Sequence, residues 1–273
     1  MMAPIPLGTA RMTGLGRVLF AVSFAVLGAL TIGLHGFAEA WQLVPKGIAW
    51  HDTLATLSGV ILLAGGIALL VPQTAGQASL VLAAFLFLQL LLKASHVVAR
   101  PLIEVRWEDL SQNLIYLAGA WTIFSTLPHD SGSLVKFRNL RAGQILFALA
   151  LPAIGLSHML YLNLTAPLIP SWLPFHVMLA YFTGAAHIAA GIGILVGVLP
   201  RLAATLEAVM VSLFTLIVWI PIVTATPANR FDLSEICVSA AISGAAWAVA
   251  GSFRSRAWGL ASLLPIGEAA SGD

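Results

Sequence analysis

The sequence predicts an all-α, polytopic membrane protein with eight transmembrane helices, arranged as two four-helix bundles that are related by a parallel repeat. Three observations predict this fold class. Of the 273 residues, 59% are hydrophobic and only 9% are charged, whereas a soluble domain carries about 25% charged residues. Apolar stretches of membrane-spanning length recur along the chain. The second half of the chain also repeats the pattern of the first half.

Eight apolar stretches have about the 20 residues that a helix needs to cross the hydrocarbon core of a bilayer. They cover residues 17–38, 53–71, 78–99, 110–127, 143–162, 177–197, 202–224 and 235–252. Prolines lie in most of the connections between them, as expected at helix boundaries. The first stretch is longer than the roughly 7–15 apolar residues of a signal-peptide core, so we expect it to remain as the first transmembrane helix.

The distribution of basic residues predicts the orientation of the chain in the membrane. Eight of them fall on one side of the predicted spans: Arg11, Arg17, Lys136, Arg138, Arg141, Arg201, Arg254 and Arg256. Four fall on the other side: Lys46, Arg100, Arg106 and Arg230. Most of the acidic residues lie on that side as well. Because the cytoplasmic side carries the excess of positive charge, we expect both termini to be cytoplasmic. In a bacterium the predicted location is the inner membrane.

The composition also excludes some classes of function. The 13 basic residues are scattered rather than clustered, which argues against nucleic acid as a partner and leaves the lipid bilayer as the expected surrounding. Cys237 is the only cysteine. A thiol–disulfide reaction, which requires a pair of cysteines, is therefore excluded.

A tandem duplication is visible when the residues after Pro45 are aligned with those after Pro170. With a constant offset of 125 residues, ten of the 27 aligned positions are identical. We therefore divide the chain into a first unit, residues 1–138, and a second unit, residues 139–273. Each unit holds four predicted spans, so both enter the membrane from the same side, and the axis of the repeat runs along the membrane normal.

Two further segments match when small gaps are allowed. The sequence Ile-Gly-Leu-His that ends at His35 matches Ile-Gly-Leu-Ser-His, which ends at His158. The charged turn at residues 106–111 likewise matches residues 230–234. We expect His35 and His158 to occupy equivalent places in the two units.

These motifs resemble those of the DoxX-like family of membrane proteins. The shared features are the Ile-Gly-Leu-His sequence, a proline-containing outer loop, a second helix of small residues with a glycine-rich end, and a charged turn before the fourth helix. The resemblance covers each unit separately, so it implies two fused four-helix units. Several DoxX-like proteins are linked to membrane redox work, such as thiosulfate:quinone oxidoreduction or oxidative-stress complexes, which implies a redox-linked function. The family has no universal catalytic residues, so it assigns no role to any residue here.

Four histidines are predicted near the outer ends of the helices. His35 and His158 lie near the ends of the first and fifth helices, and His51 and His176 begin the second and sixth. Glu39 follows His35 by four residues, a spacing that places both on one helix face. These residues could bind a metal ion through His35, Glu39 and His51, ligate haem, or hydrogen-bond to a quinone. The alternative is structural, with histidines that begin helices at the interface and hydrogen-bond to loop carbonyls.

Ionisable residues inside predicted spans mark further candidate sites, because a bilayer stabilises charge poorly. His187 lies near the middle of the sixth helix, where the first unit has Leu62. It could bind a cofactor or hydrogen-bond to a Ser, Thr or Tyr of a neighbouring helix. Lys93 could bind an anionic or quinone head group, meet a carboxylate, or extend toward the interface. Glu207 is expected to pair with Arg201 near the head groups.

Two aspartates are predicted to cap helices. Asp109 and Asp232 precede the fourth and eighth predicted spans, where a carboxylate can accept hydrogen bonds from the first backbone amides. Arg106 and Arg230 would then lie just outside the helices, at the surface.

Three functions are compatible with these features. The first is a redox-linked membrane subunit that handles quinone or haem b at the outer side of the membrane, beside a soluble or membrane-bound redox partner. Its candidate cofactor-binding residues are His35, His51, His158, His176, His187 and Lys93. The second is a transporter or channel for a small solute, and the third is a scaffold or assembly factor without chemistry. The paired histidines and the family resemblance favour the first.

Overall fold

The computed structural model describes residues 7–38, 40–42, 44, 47–127 and 138–253. Throughout this part of the chain the regular structure is helical, and there is no strand. The helices are α1 (Leu7–Gly33), α2 (His51–Leu70), α3 (Ala75–Ala99), α4 (Glu104–Thr126), α5 (Leu140–Leu160), α6 (Leu162–Thr165), α7 (His176–Val196), α8 (Pro200–Phe214), α9 (Ile220–Ala225) and α10 (Arg230–Ser252). A π-helical turn, Thr215–Trp219, joins α8 to α9.

Seven helical segments of the described chain are long and apolar enough to cross a membrane. They are Met12–Gly33, His51–Leu70, Ala75–Ala99, Leu140–Leu160, His176–Val196, Pro200–Ala225 and Arg230–Ser252. They correspond to seven of the eight predicted spans, with boundaries that differ by five residues or fewer. The chain is therefore an all-helical protein whose long helices suit a lipid bilayer, as predicted.

Helix α4, which the sequence predicts as the fourth span, is more polar than these seven. Its first half contains Asp109, Gln112 and Asn113, and most of the residues from Ile115 to Phe124 are buried. Neighbouring helices enclose α4, so its surface meets other side chains rather than lipid. A helix in that position can carry polar residues that a lipid-facing helix could not.

The two units interlock in one bundle. Helix α1 packs along α2 and α10, and α5 packs along α4 and α7, while α4 and α10 contact each other in the interior. Two separate four-helix bundles would instead pair α1 with α4 and α5 with α10, and those contacts are small. The predicted pair of separate bundles is thus replaced by a shared bundle, in which the first helix of each unit packs against the fourth helix of the other.

Glycine contacts of α1 with α2 and of α5 with α7 occur at equivalent places in the two units. A Cβ atom on Gly28 of α1 would lie 2.5 Å from the carbonyl oxygen of Gly59 in α2, and one on Gly155 of α5 would lie 2.3 Å from that of Gly184 in α7. Only glycine permits such close approach of two helix backbones. The contacts align α1 with α5 at an offset of 127 residues and α2 with α7 at an offset of 125.

This alignment corrects the predicted match between His35 and His158. The Cβ of Thr31 lies 3.2 Å from a Cβ built on Gly59, and the Cβ of His158 lies 3.2 Å from one built on Gly184. Thr31 therefore occupies the place of His158 in the first unit. The Ile-Gly-Leu sequences predict the wrong pairing, because they lie at different positions relative to the glycine contact that the two units share.

Candidate functional site

An ion pair between α7 and α8 lies in the interior of the second unit. The Nδ1 atom of His187 is 2.8 Å from Oε1 of Glu207, and each residue is only 2% exposed. Glu207 shares its helix face with Ala204, Ala208 and Val211, all buried against the bundle. Glu207 thus faces α7, and the predicted pairing with Arg201 near the head groups is wrong, as is the expectation of a hydroxyl partner for His187.

A second histidine lies against this pair. The rings of His158 and His187 meet edge to face with their centres 5.0 Å apart. The ring of Phe214, the last residue of α8, lies 6.0 Å from that of His158 and 6.2 Å from that of His187. Three helices thus bring together two of the predicted cofactor-binding histidines and a glutamate. We call His158, His187 and Glu207 the His–Glu cluster.

The hydroxyl of Thr183 lies between two partners. Its oxygen is 3.0 Å from the carbonyl oxygen of Ala180 and 3.0 Å from Nδ1 of His158. When Thr183 donates to Ala180, it accepts a hydrogen bond from Nδ1–H of neutral His158, and Nε2 of that histidine holds the lone pair.

Two polar atoms of the His–Glu cluster lack partners. Neither Nε2 of His187 nor Oε2 of Glu207 has a hydrogen-bond partner in the part of the chain that the structure describes. Leaving a buried polar atom unpaired costs about 1–3 kcal/mol, and more for a charged group. Such a cost inside a membrane protein points to a group retained for its chemistry.

The first unit has leucines where the second has the ion pair. At the offset of 125 residues, Leu62 corresponds to His187 and Leu82 to Glu207. Both leucines are fully buried in the hydrophobic core. The fold therefore accepts an apolar pair at this place, and the His–Glu cluster is not needed to build the bundle.

The first unit has a different buried ion pair, between α3 and α4. Lys93, only 6% exposed, contacts the carboxylate of Asp109 and donates a hydrogen bond of 2.8 Å to the carbonyl oxygen of Trp41. Of the outcomes predicted for Lys93, the carboxylate partner is confirmed, and extension toward the interface is wrong. The predicted cap at Asp109 is also wrong, because α4 begins at Glu104.

Trp41 closes the adjoining end of the first unit. Its indole is fully buried and packs against Phe24 and Tyr116, with ring centres 5.9 and 5.3 Å apart. Its Nε1 atom donates to Oδ1 of Asn113 at 3.3 Å, and the amide nitrogen of Asn113 donates to the carbonyl oxygen of Leu86 at 2.8 Å. Trp41, Asn113 and Lys93 are thus linked by hydrogen bonds, which indicates a structural role, whereas the hydroxyl of Tyr116 is buried without a partner among the described residues.

The remaining predicted histidines lie apart from the His–Glu cluster. His51 and His176 begin α2 and α7, as predicted, and each follows a residue in the left-handed conformation, Trp50 or Phe175. The Nδ1 atom of His51 is 2.9 Å from Asp52, and Nε2 of His176 is buried without a partner among the described residues.

The predicted metal ligands include one residue outside the described chain. His35 is exposed in a turn with φ of 51°, beyond the end of α1 at Gly33. It is therefore not on a helix face with Glu39, which lies outside the described residues. Within the described chain, no group of three or more His, Cys, Asp and Glu side chains could hold a metal ion. The set of His35, Glu39 and His51 stays a prediction.

The start of α10 differs from the predicted arrangement. Asn229 caps this helix and accepts hydrogen bonds from the amides of Phe231 and Asp232, whereas the carboxylate of Asp232 accepts one from Thr226. Arg230 is the first helical residue and donates to the carbonyl oxygen of Leu34 after α1. Arg106 similarly lies inside α4 rather than before it, where it donates to the carbonyl oxygen of His96.

Two carboxyl groups at the start of α4 were not singled out from the sequence. Burial and the neighbouring Glu104 raise the pKa of Glu108 to about 7, although a hydrogen bond from Ser157 acts in the opposite direction. Burial also raises the pKa of Glu104. Only the packing of α4 against α5 brings Glu108 to Ser157, so no sequence pattern could have indicated the contact.

No protein-family model, curated protein or solved structure matches this chain. Its function is therefore inferred from the chemistry of the His–Glu cluster.

Proposed function

We propose that this protein exchanges protons inside the membrane at the His187–Glu207 pair, and that this exchange serves the redox turnover of a quinone. The observation that carries the proposal is a buried acid–base pair that retains an unpaired nitrogen and an unpaired oxygen. Ionisable pairs of this kind in membrane helices mark proton relays and ion pathways.

The chemistry of the pair suits proton exchange. A histidine changes its charge near neutral pH, and a carboxylate at 2.8 Å can hold the proton or stabilise the imidazolium. Each group is only 2% exposed, so their interaction is stronger than it would be at a surface. Reduction of a quinone to a quinol takes up two electrons and two protons, and a membrane protein must supply those protons inside an apolar surrounding.

We favour quinone over haem as the redox cofactor. The rings of His158 and His187 have centres 5.0 Å apart. Two imidazoles that ligate one iron through Nε2 from opposite sides have ring centres about 6 Å apart. A quinone carbonyl needs only one hydrogen-bond donor, such as Nε2–H of His187. Electrons would come from a soluble or membrane-bound redox partner.

Calorimetry with decylubiquinone tests this proposal. Titration of the purified protein in two buffers with different ionisation enthalpies measures both binding and the number of protons exchanged. We expect wild type to bind with proton exchange, and the double variant His187→Leu/Glu207→Leu to lose that exchange. Binding without proton linkage in wild type, or no binding, would contradict the quinone proposal. An optical spectrum of the same sample tests for haem, and we expect no Soret band.

Proton-coupled transport of a small solute is the second candidate. The π-helical turn Thr215–Trp219 directly follows Phe214, which contacts both histidines of the His–Glu cluster. Pro152 lies inside α5, the helix that carries His158, and interrupts its backbone hydrogen bonding. π-helical turns are frequent at functional sites and at places where helices bend. The test measures proton flux into liposomes under an imposed pH gradient, for wild type and for the double variant. A large wild-type flux without quinone, absent in the double variant, would favour transport.

We also propose the topology in which these reactions occur. The chain has eight spans, with α4 as the span enclosed by the others, and it arose by duplication of a DoxX-like four-helix unit. The repeated glycine contacts and the repeated left-handed residues before His51 and His176 support the duplication. By the positive-inside rule both termini are cytoplasmic, in a bacterial inner membrane. Fusion of reporter enzymes to the two termini tests this orientation.

A further inference from the structure

We propose that His158 carries protons between the His187–Glu207 pair and the aqueous phase at the α7 end of the bundle, the end at which α7 begins. This inference rests on the proton exchange proposed above, and it adds the route and the side of access. The observations that carry it are the gradient of exposure, the contact of His158 with Thr183 and His187, and the apolar packing on the opposite side of the pair.

The exposure of the His–Glu cluster increases in one direction. His187 and Glu207 are each 2% exposed, whereas His158 is partly exposed and lies two residues before α5 ends at Leu160. Because α5 ends where α7 begins, this exposed side belongs to the α7 end. His158 is thus the member of the His–Glu cluster that lies between the buried pair and the aqueous phase.

The hydrogen bonds of His158 prepare it to accept a proton. In the tautomer whose Nδ1–H donates to Thr183, the lone pair is on Nε2. The ring of His187 lies edge to face with its centre at 5.0 Å, a separation that one bridging water can span. The proton leaves Nε2 of His187 and bonds to Nε2 of His158, which becomes an imidazolium. That imidazolium then releases the proton to water at the α7 end, and the bond to Thr183 stays intact.

The opposite side of the pair is closed by small apolar side chains. Ala204 lies one helical turn from Glu207 toward the start of α8 and is fully buried. Ile194 lies two turns from His187 toward the end of α7 and is also fully buried, and Ala190 between them is 8% exposed. Gly191 packs against the backbone of Ala148 in α5. The guanidinium of Arg141 donates to the carbonyl oxygens of Ile194 and Leu195 at this end. A guanidinium stays protonated in proteins and therefore does not pass a proton onward.

The charged groups around His158 are distributed over four helices. His187 faces it from α7, and Glu207 of α8 lies behind His187. On α4, Glu108 contacts the neighbouring residue Ser157, and Glu235 of α10 lies close enough to interact with Glu108. The carboxyl groups of Glu207 and Glu108 are thus linked to His158 through its neighbours His187 and Ser157.

Exchange of the ring N–H protons of His187 with water tests the route. The protein is labelled with ¹⁵N-histidine in lipid nanodiscs, and the exchange is measured by saturation transfer from water. We expect His158→Phe, which keeps a ring against Phe214 but cannot carry a proton, to slow the exchange roughly 100-fold. His158→Gln should slow it similarly and serves where the phenylalanine variant fails to fold. His96→Phe, at an exposed histidine of α3, is the matched control and should leave the rate unchanged.

The outcomes distinguish this inference from the function on which it rests. Slow exchange in both His158 variants supports the route. Exchange at the wild-type rate in either folded variant overturns the route but leaves the proton-exchanging pair intact. An absence of exchange in wild type overturns both.

Cysteine labelling tests the side of access. In a Cys237→Ala background, Thr183→Cys and Ala204→Cys place one thiol on each side of the pair, and a charged maleimide reacts only where water permits a thiolate. We expect labelling of Thr183→Cys from the α7 end alone and no labelling of Ala204→Cys. Labelling of Ala204→Cys from the opposite end at a comparable rate would overturn the proposed side.

Discussion

The first and second units use the same helix contacts but place different chemistry at them. Leu62 and Leu82 are fully buried at positions where the second unit has His187 and Glu207, and Thr31 replaces His158. The backbone crossing is the same in both, with glycine against glycine. The fold therefore does not require the His–Glu cluster, and the polar groups are better explained by function than by stability.

The connection between the first two long helices also differs between the two units. In the first unit Trp41 folds inward, is fully buried and is held by Asn113, with its carbonyl oxygen on Lys93. In the second unit the corresponding connection contains the short helix α6, and Trp172 is 70% exposed. The first unit is closed at this end by the buried indole of Trp41, whereas the second leaves its partly exposed histidine near the rim.

Breaking the ion pair on one side should have the largest effect. Glu207→Leu leaves a buried imidazole without its carboxylate, and we expect a loss of about 3–5 kcal/mol in the free energy of unfolding. The double variant His187→Leu/Glu207→Leu reproduces the leucine pair of the first unit and should be about as stable as wild type, or more stable. Unfolding in denaturant measures both. A double variant less stable than Glu207→Leu would contradict the equivalence of the two units.

Transfer of the pair to the first unit should have a smaller cost. Leu62→His/Leu82→Glu introduces a buried ion pair in place of packed leucines, which should cost about 1–4 kcal/mol. Because Thr31 cannot carry a proton in place of a histidine and Trp41 closes the end, the imported pair should exchange protons with water far more slowly than His187 does. Saturation transfer on the new histidine measures this. Equal exchange rates in the two units would show that the difference between them is not functional.

Much of the helical layout is predictable from the sequence, because lipid requires about 20 apolar residues per span. Which helices pack together is not predictable, because apolar faces in lipid do not specify a neighbour. For that reason the sequence does not indicate that α1 packs on α10. His187 could be singled out because its counterpart is Leu62. The pairing of His187 with Glu207 could not be predicted, since only the crossing of α7 and α8 brings their side chains together.

The ion pair of the first unit should affect stability without affecting proton exchange. Asp109→Asn removes the charge opposite Lys93 but leaves the bond from Lys93 to the carbonyl oxygen of Trp41. We expect a loss of about 1–3 kcal/mol in the free energy of unfolding. The exchange rate of the His187 ring protons in the same variant should match wild type. A slower rate would mean that the two units act together in proton transfer.

Glu108 should produce the smallest effect, a dependence of stability on pH. Its pKa in the folded protein, about 7, lies above its ordinary value of 4.5, so the folded state retains a proton that the unfolded state has lost. The contribution of Glu108 is therefore complete below pH 4.5 and declines as the pH rises to 7. Glu108→Gln should flatten this part of the profile of unfolding temperature against pH. An unchanged slope would show that Glu108 is solvated.

The central claim is that His187 and Glu207 share a proton inside the membrane, and the ring N–H spectrum of His187 tests it most directly. In ¹⁵N-histidine-labelled protein in nanodiscs, we expect a strongly downfield Nδ1–H resonance for His187 that shifts upfield in Glu207→Gln. A resonance at the position of an ordinary solvated imidazole, unaffected by Glu207→Gln, would contradict the claim.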